Sequence, residues 1–202
     1  MLTLVGANAP LGEWIDEMAA VALKHGFSHW RAVALYNRGW IKVNNGHVCE
    51  GISLLRSGVT AFRATGAEAW TPYLFGLLAR GCEMAGQNQE TVAILDEALR
   101  IAERTGERWF TAELHRHKGQ LLLQKGHAEA AEALYCKALS IAREQQAKLW
   151  ELRAAASLAR LRHNQGRGPE ARDLLAPVYG WFTEGRTTPD LREAKTLLDG
   201  LT

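Results

Sequence analysis

Apolar residues recur at helical spacing on both sides of Gly126. This is the pattern of two amphipathic helices rather than of strands. A glycine at the junction tolerates the positive φ with which a helix commonly ends before the chain reverses. Residues 110–146 are therefore predicted to form a helical hairpin. Its apolar positions are Ala112, Leu114, Leu121 and Leu122 before the glycine, and Ala131, Leu134, Tyr135, Ala138, Leu139 and Ala142 after it.

The hairpin pattern repeats with a period of 40 residues, which predicts a stack of equivalent supersecondary units. We expect an all-α fold of helical hairpins over residues 27–66, 67–106, 107–146 and 147–186. Small residues such as Gly119 and Ala131 should face each other where the two helices of a hairpin cross. The columns in register are the hairpin glycines Gly6, Gly46, Gly86, Gly126 and Gly166, the aromatic residues Trp30, Trp70, Phe110 and Trp150, and the small residues Gly39, Ala79, Gly119 and Ala159.

The two ends of the chain hold parts of a repeat. Extending the register backwards makes residues 1–26 a half repeat, in which Met1–Val5 is the last turn of a first helix and a second helix begins near Pro10. Residues 187–202 are predicted to form a short closing helix. We therefore expect about ten helices in one repeat domain, residues 1–202.

The third hairpin carries the residues of a known family. Lys118-Gly119, Leu122 and Gly126 are followed by Ala131, Tyr135 and Ala138-Leu139 at the spacing of the tetratricopeptide repeat, which the chain resembles over nearly its whole length. The period of 40 rather than 34 residues departs from that family. The resemblance implies an α-α superhelix whose first helices line a concave groove. More narrowly, residues 174–198 resemble the C-terminal helical regions of large bacterial signalling proteins that carry an ATPase or nucleotide-cyclase domain.

The resemblance also implies a binding surface, because the groove of such repeats usually holds a protein or peptide. Arginine binds carboxylates in a forked geometry, so a groove with aromatic residues towards one end and arginines towards the other suits a peptide with apolar and acidic residues. A merely solvated face is the alternative reading of the same residues. The groove positions are Tyr36, Trp40, Asn44, Tyr73, Arg80, Met84, Arg116, Gln120, Gln124, Arg153, Arg160 and Asn164.

A second function class also fits a superhelix of this kind. If the superhelix closes around an effector, the chain would be a small-molecule or peptide-signal sensor of an ATPase- or cyclase-type regulator. A deep pocket lined by Tyr36, Trp40 and Arg80 would distinguish such a sensor from a scaffold. The preferred interpretation is a protein-interaction or regulatory domain of a bacterial signalling or transcription-regulating system.

Composition and charge indicate which classes of partner are disfavoured. The chain has 202 residues with 47% hydrophobic and 23% charged residues, and its formal net charge is +2. Nucleic-acid binders usually show a stronger basic excess, so nucleic acid is not favoured. No apolar run approaches the length of a membrane span, and the three cysteines have no Cys-x-x-Cys spacing, which suits reduced thiols. We expect a cytoplasmic protein that does not enter the membrane.

The sequence offers no catalytic motif, so no enzyme activity and no cofactor are predicted. His115 and His117 are two positions apart on a predicted helix, point in different directions and should not share a metal ion. Gly166-Arg167-Gly168 lacks the lysine and the preceding strand of a phosphate loop and is assigned to a hairpin turn. The periodic aromatic column beginning at Trp30 is expected to pack between successive units.

The first helix has no polar cap over its outer face. A terminal repeat without a neighbour exposes apolar residues, since each repeat buries its core against the next one. We therefore expect either that the chain is the C-terminal part of a longer protein or that a second copy covers this half repeat as a homodimer.

Overall fold

The computed structural model describes the backbone of residues 8–201 and the side chains of residues 12–201. Within that part of the chain there are ten α-helices and no strand, which confirms the all-α prediction. The predictions for Met1–Val5 and Gly6 lie outside the described residues. The helices are α1 Asn8–Lys24, α2 Ser28–Asn44, α3 Val48–Ala64, α4 Thr71–Met84, α5 Asn88–Thr105, α6 Thr111–Gln124, α7 Ala128–Glu144, α8 Lys148–Asn164, α9 Gly168–Gly180 and α10 Pro189–Gly200.

The chain divides into two compact units, Met1–Glu107 and Arg108–Thr202. In the first unit α2 packs against α3 and α4 against α5, while α1 and α3 also pack against the helix that follows each of them. In the second unit α6 pairs with α7 and α8 with α9, and α10 contacts both α8 and α9. Each predicted hairpin segment therefore contains two antiparallel helices that pack together. The grouping of all repeats into one domain remains a prediction.

Seven of the 19 glycines end helices in a left-handed conformation. At Gly126 the backbone has φ +83°, its N–H bonds to the carbonyl of Leu123, and the N–H of His127 bonds to the carbonyl of Leu122. This pair of bonds is a Schellman motif, which satisfies carbonyls at the helix terminus. Glycines with a positive φ also end the second helices of the hairpins, so turn glycines recur every 20 rather than every 40 residues. We call this series the glycine ladder. Its described members are Gly26, Gly46, Gly66, Gly86, Gly106, Gly126 and Gly166, and Gln146 (φ +53°) stands at the place between Gly126 and Gly166.

Other glycines lie inside helices, where the lack of a side chain lets α2 and α3 come into close contact. A Cβ on Gly39 would lie 2.7 Å from the backbone nitrogen of Leu55, and a Cβ on Gly58 would lie 2.6 Å from the backbone nitrogen of Tyr36. Side chains larger than hydrogen would therefore force the two helices apart. In the second unit a Cβ on Gly119 would lie 2.8 Å from the ring of Tyr135 and 3.3 Å from the Ala131 carbonyl oxygen, which confirms the predicted crossing site.

The aromatic column behaves differently in the two units. Phe110 and Trp150 are buried, and their rings meet edge to face with 5.3 Å between centroids, as predicted. The same prediction is wrong for Trp30 and Trp70, which are 51% and 54% exposed. Trp70 has a left-handed backbone (φ +69°), whereas Phe110 has φ −102°, so their side chains leave the chain in different directions.

The core of the second unit continues to the end of the described chain. Leu158, Leu175 and Leu191 are buried in one cluster that joins α8, α9 and α10. Pro177 lies inside α9, where it removes one helical N–H donor. No helix of the described residues combines the length and the apolar character required to cross a membrane.

Candidate partner-binding surface

The predicted groove residues all lie on the first helices of the four hairpins. Because side chains three and four positions apart share one face of a helix, each of α2, α4, α6 and α8 presents three of them together. The structure separates this set into buried aromatic residues, arginines with acidic partners, and exposed residues near the helix ends.

Three aromatic members do not face solvent. Tyr36, Trp40 and Tyr73 are buried, so the prediction that they form an open, aromatic end of the groove is wrong. The reason is the close approach of α2 and α3, which places the backbone of Tyr36 against Gly58 and its ring 6.3 Å from that of Phe62. Burial raises the pKa of Tyr36 to about 12. Trp40 and Tyr36 are thus core residues rather than the walls of an effector pocket.

Arg116 is held by a carboxylate on its own helix. Its guanidinium donates hydrogen bonds to both oxygens of Glu113 at 2.7 and 2.8 Å, and weaker ones to Gln120 (3.3 Å) and Ser157 (3.4 Å). Burial opposes ionisation of Glu113, but the charge and hydrogen bonds of Arg116 outweigh burial and lower the pKa of Glu113 to about 2. Arg116 therefore lies in the interior of its unit, where it is paired with Glu113.

Arg153 is also paired with carboxylates of its own unit. It donates to both carboxylate oxygens of Asp190 at 2.7 and 2.9 Å, lies 3.6 Å from a Glu113 oxygen, and stacks over the ring of Trp150. Arg160 forms a more exposed pair with Glu193 at 2.6 Å. The predicted basic patch of the second unit is consequently neutralised by carboxylates of α6 and α10.

The sequence contained a signal for part of this network. Glu113 precedes Arg116 by three positions, a spacing at which opposite charges on a helix meet. The partners of Arg153 and Arg160 come from α10, and their pairing depends on how that helix packs on α8, which the 40-residue columns do not specify.

Four exposed members of the set share one structural position. Each first helix ends on a predicted groove residue, and we call these four residues the helix-end positions. Three of them carry an amide, whose N–H groups donate and whose oxygen accepts hydrogen bonds. They are Asn44 and Met84 in the first unit and Gln124 and Asn164 in the second.

Two exposed arginines lie one turn before a helix-end position. Arg80 precedes Met84 on α4, and Arg160 precedes Asn164 on α8. Since residues four apart are neighbours on a helix surface, each arginine and its helix-end residue form a small patch within their own unit. Such a patch can bind a carboxylate and an adjoining peptide group.

The histidines of α6 are packed rather than arranged around an ion. His115 and His117 are both buried, and burial lowers the pKa of His115 to about 4. Its Nδ1 has no hydrogen-bond partner. Over the residues that the structure describes, no group of three or more His, Cys, Asp or Glu side chains is arranged to hold a metal ion.

Comparison with known proteins supports the repeat assignment. Residues 70–144 match the tetratricopeptide repeat family. An uncharacterized protein of Rhizobium meliloti (strain 1021) is 29% identical over 153 residues, which is 75% of this chain and 15% of that protein. The chain thus corresponds to a small part of the length of this relative.

Solved structures with the same architecture are more distant in sequence. Kinesin light chain TPR-like repeats from Podosopora anserina superpose with a TM-score of 0.64 and 22% identity over 85% of each chain. BtubC (BKLC) from P. vanneervenii reaches a TM-score of 0.71 with 17% identity, over 98% of this chain and 81% of that one. The described residues therefore have the helical fold of tetratricopeptide-like repeats, and residues 70–144 match that repeat family, whose repeats generally mediate protein–protein interaction.

Proposed function

We propose that this chain is a non-enzymatic interaction domain that binds an acidic, partly apolar segment of a partner protein with the ends of its first helices. The observation that carries the proposal is the exposure of all four helix-end positions at equivalent places in the repeat. A polypeptide presents a hydrogen-bonding group at each residue, and an exposed amide side chain at a helix end can bind such a group without depending on the peptide sequence.

The charge preference comes from the two exposed arginines. Arg80 lies outside the ion pairs of the described residues, and Arg160 is paired only with exposed Glu193. Exposed ion pairs contribute little free energy, so a partner carboxylate can replace Glu193 at small cost. Met84 adds an exposed apolar contact beside Arg80. Each unit therefore offers one patch that fits a segment with acidic and apolar residues.

The cellular setting that we propose is a bacterial signalling or transcription-regulating system in the cytoplasm. The basis is the likeness of residues 174–198 to the C-terminal helical regions of large bacterial signalling proteins. In that setting the repeat would act as the regulatory or scaffold segment, and its partner would be a protein rather than a nucleic acid. The formal net charge of +2 agrees with that choice.

The experiment is selection of peptides from a displayed random library with the 202-residue chain, followed by titration calorimetry of selected peptides. We expect enrichment of Asp and Glu beside apolar residues. Arg80→Glu or Arg160→Glu should weaken a selected peptide by about ten-fold or more, because a favourable charge becomes repulsive.

A matched control separates this surface from general charge effects. Arg100 is exposed on α5, the second helix of its hairpin, and Arg100→Glu makes the same change of charge. Affinity within about two-fold of the original is expected for this variant. Equal losses for all three variants, or selected peptides that contain no acidic residues, would contradict the proposed surface.

A further inference from the structure

The outer face of α1 is apolar and open. Trp14 is 71% exposed, Met18 and Val21 follow it along the same side of the helix, and Phe27 and Trp30 continue the surface at the start of α2. Together they line a groove of about 380 Å³, with Glu17 at its edge. Monomeric proteins rarely expose so many large apolar side chains in one patch, so the face is an interaction surface.

The face is not shaped for the first helix of a further hairpin. Met18 stands in the column that holds Gly58, Ala98, Ala138 and Val178 in the four hairpins. At Gly58 even a Cβ would lie 2.6 Å from the backbone of α2. Methionine in this column keeps a neighbouring helix farther away, and its flexible side chain suits an adaptable contact.

The last helix does not offer a complement to this face. The outward side chains of α10 include Arg192, Lys195, Thr196 and Asp199, which are all exposed. Pairing α1 of one copy with α10 of another would bury these polar groups against tryptophan and valine, at a considerable cost in desolvation. A head-to-tail assembly is therefore disfavoured, whereas a self-complementary pairing of two α1 faces buries apolar groups on both sides.

The charges on α1 specify how two copies would pair. Glu17 and Lys24 are seven positions apart, so they lie two turns from each other on the same edge of the apolar stripe. Neither forms an ion pair with another described residue. A two-fold axis near Val21 would run two α1 helices antiparallel, and would place Glu17 of one copy beside Lys24 of the second copy and Trp14 beside Phe27.

We propose that the chain forms a two-fold symmetric dimer through this α1 face. With about 150–250 Å² for a fully exposed aromatic side chain, two copies bury on the order of 1,000 Å² in total. This area is at the lower end of specific interfaces, so the dimer should dissociate in the micromolar range. The α1 face shares no residue with the helix-end positions, so, on the proposed function, dimerisation does not use up the peptide-binding residues of either copy.

Sedimentation velocity from low to high micromolar concentration tests the dimer. The original chain should shift from monomer to dimer, and Val21→Glu should remain monomeric with an unchanged helical circular dichroism spectrum. Trp181→Glu is the matched control, because Trp181 is 57% exposed on the other unit and its replacement should leave the association constant unchanged. A chain that stays monomeric throughout, or a dimer that survives Val21→Glu, would overturn the proposal.

Charge reversal tests the antiparallel arrangement. Glu17→Lys and Lys24→Glu should each weaken the dimer several-fold, because each places like charges in contact. The double variant exchanges the two charges and should restore affinity to near the original value. Losses that simply add in the double variant would overturn the antiparallel pairing, and a monomer that binds an unrelated helical protein through this face would assign it to a different occupant.

Discussion

Arg116 donates two hydrogen bonds to the carboxylate of Glu113, one turn earlier on α6, and each side chain is only 13% exposed. The pair therefore belongs to the interior of its unit. Removing one member of a buried ion pair leaves an uncompensated charge and commonly costs about 3–5 kcal/mol. This relationship makes Arg116 a stability residue, although its place in the repeat suggests a ligand contact.

We expect Arg116→Leu to lower the free energy of unfolding by about 3 kcal/mol, as measured by urea denaturation. The matched control is Arg160→Leu, which removes an arginine from the exposed pair with Glu193 and should cost less than about 1 kcal/mol. Similar losses for the two variants would show that the Glu113–Arg116 pair is not buried as described.

The same helix predicts a loss of stability in mild acid. His115 is buried with a pKa of about 4, compared with an ordinary value of 6.5, so the native state favours the neutral ring. The unfolded chain binds this proton first, and stability should therefore fall as the pH drops from about 6.5 to about 4. The pKa difference corresponds to a loss of roughly 3 kcal/mol. Glu113, with a pKa of about 2, adds a further loss between about pH 4.5 and 2.

His115→Leu tests this assignment because leucine fills the site and does not titrate. Thermal unfolding at about pH 7 and about pH 4.5 should show a smaller difference in Tm for the variant than for the original chain. His163→Leu is the control, since His163 is exposed on α8. If His115→Leu keeps the full pH dependence, another group is responsible for it.

The close crossing of α2 and α3 gives a prediction about packing. Gly58→Ala should destabilise the chain by about 1–3 kcal/mol, because the added methyl group meets the backbone of Tyr36 and the helices must separate. Gly12→Ala is the matched control within α1, where the described residues outside the adjoining helical turn place no atom within 4 Å of the added Cβ. Alanine is the better helix former, so this second variant should gain about 0.5–1 kcal/mol. Chemical denaturation of both variants measures the contrast.

Much of the fold could be predicted from the sequence because its local signals agree with one another. Around Gly126 the apolar spacing, the turn glycine and the small residues Gly119 and Ala131 all indicate the same hairpin, and the structure confirms it. A repeated unit also presents each signal several times. The helix count and the all-α fold follow from this consistency.

The candidate surface was harder to predict because burial depends on distances between helices. Tyr36 and Trp40 occupy groove positions by register, yet both are buried, and glycines in α2 and α3 let α3 approach close to Tyr36. The pairing of Arg153 depends on Asp190, which lies 37 residues further along the chain on α10. A residue's place in the repeat specifies the face of its helix, but not the neighbours that cover that face.

Gln146 stands between Gly126 and Gly166 in the 20-residue glycine ladder, at a place that lacks glycine. Its φ of +53° is the left-handed conformation, which costs an ordinary L-residue about 1–2 kcal/mol. Gln146→Gly removes this cost but increases the freedom of the unfolded chain, so we expect a net gain of about 0.5–1 kcal/mol in the free energy of unfolding. Gly126→Ala is the reciprocal variant, because the same motif ends α6 there and no described residue other than its two chain neighbours places an atom within 4 Å of the added Cβ. It should lose about 1 kcal/mol by conformation alone. Urea titrations of both variants would refute the conformational explanation if Gln146→Gly proved neutral or destabilising while Gly126→Ala behaved as expected.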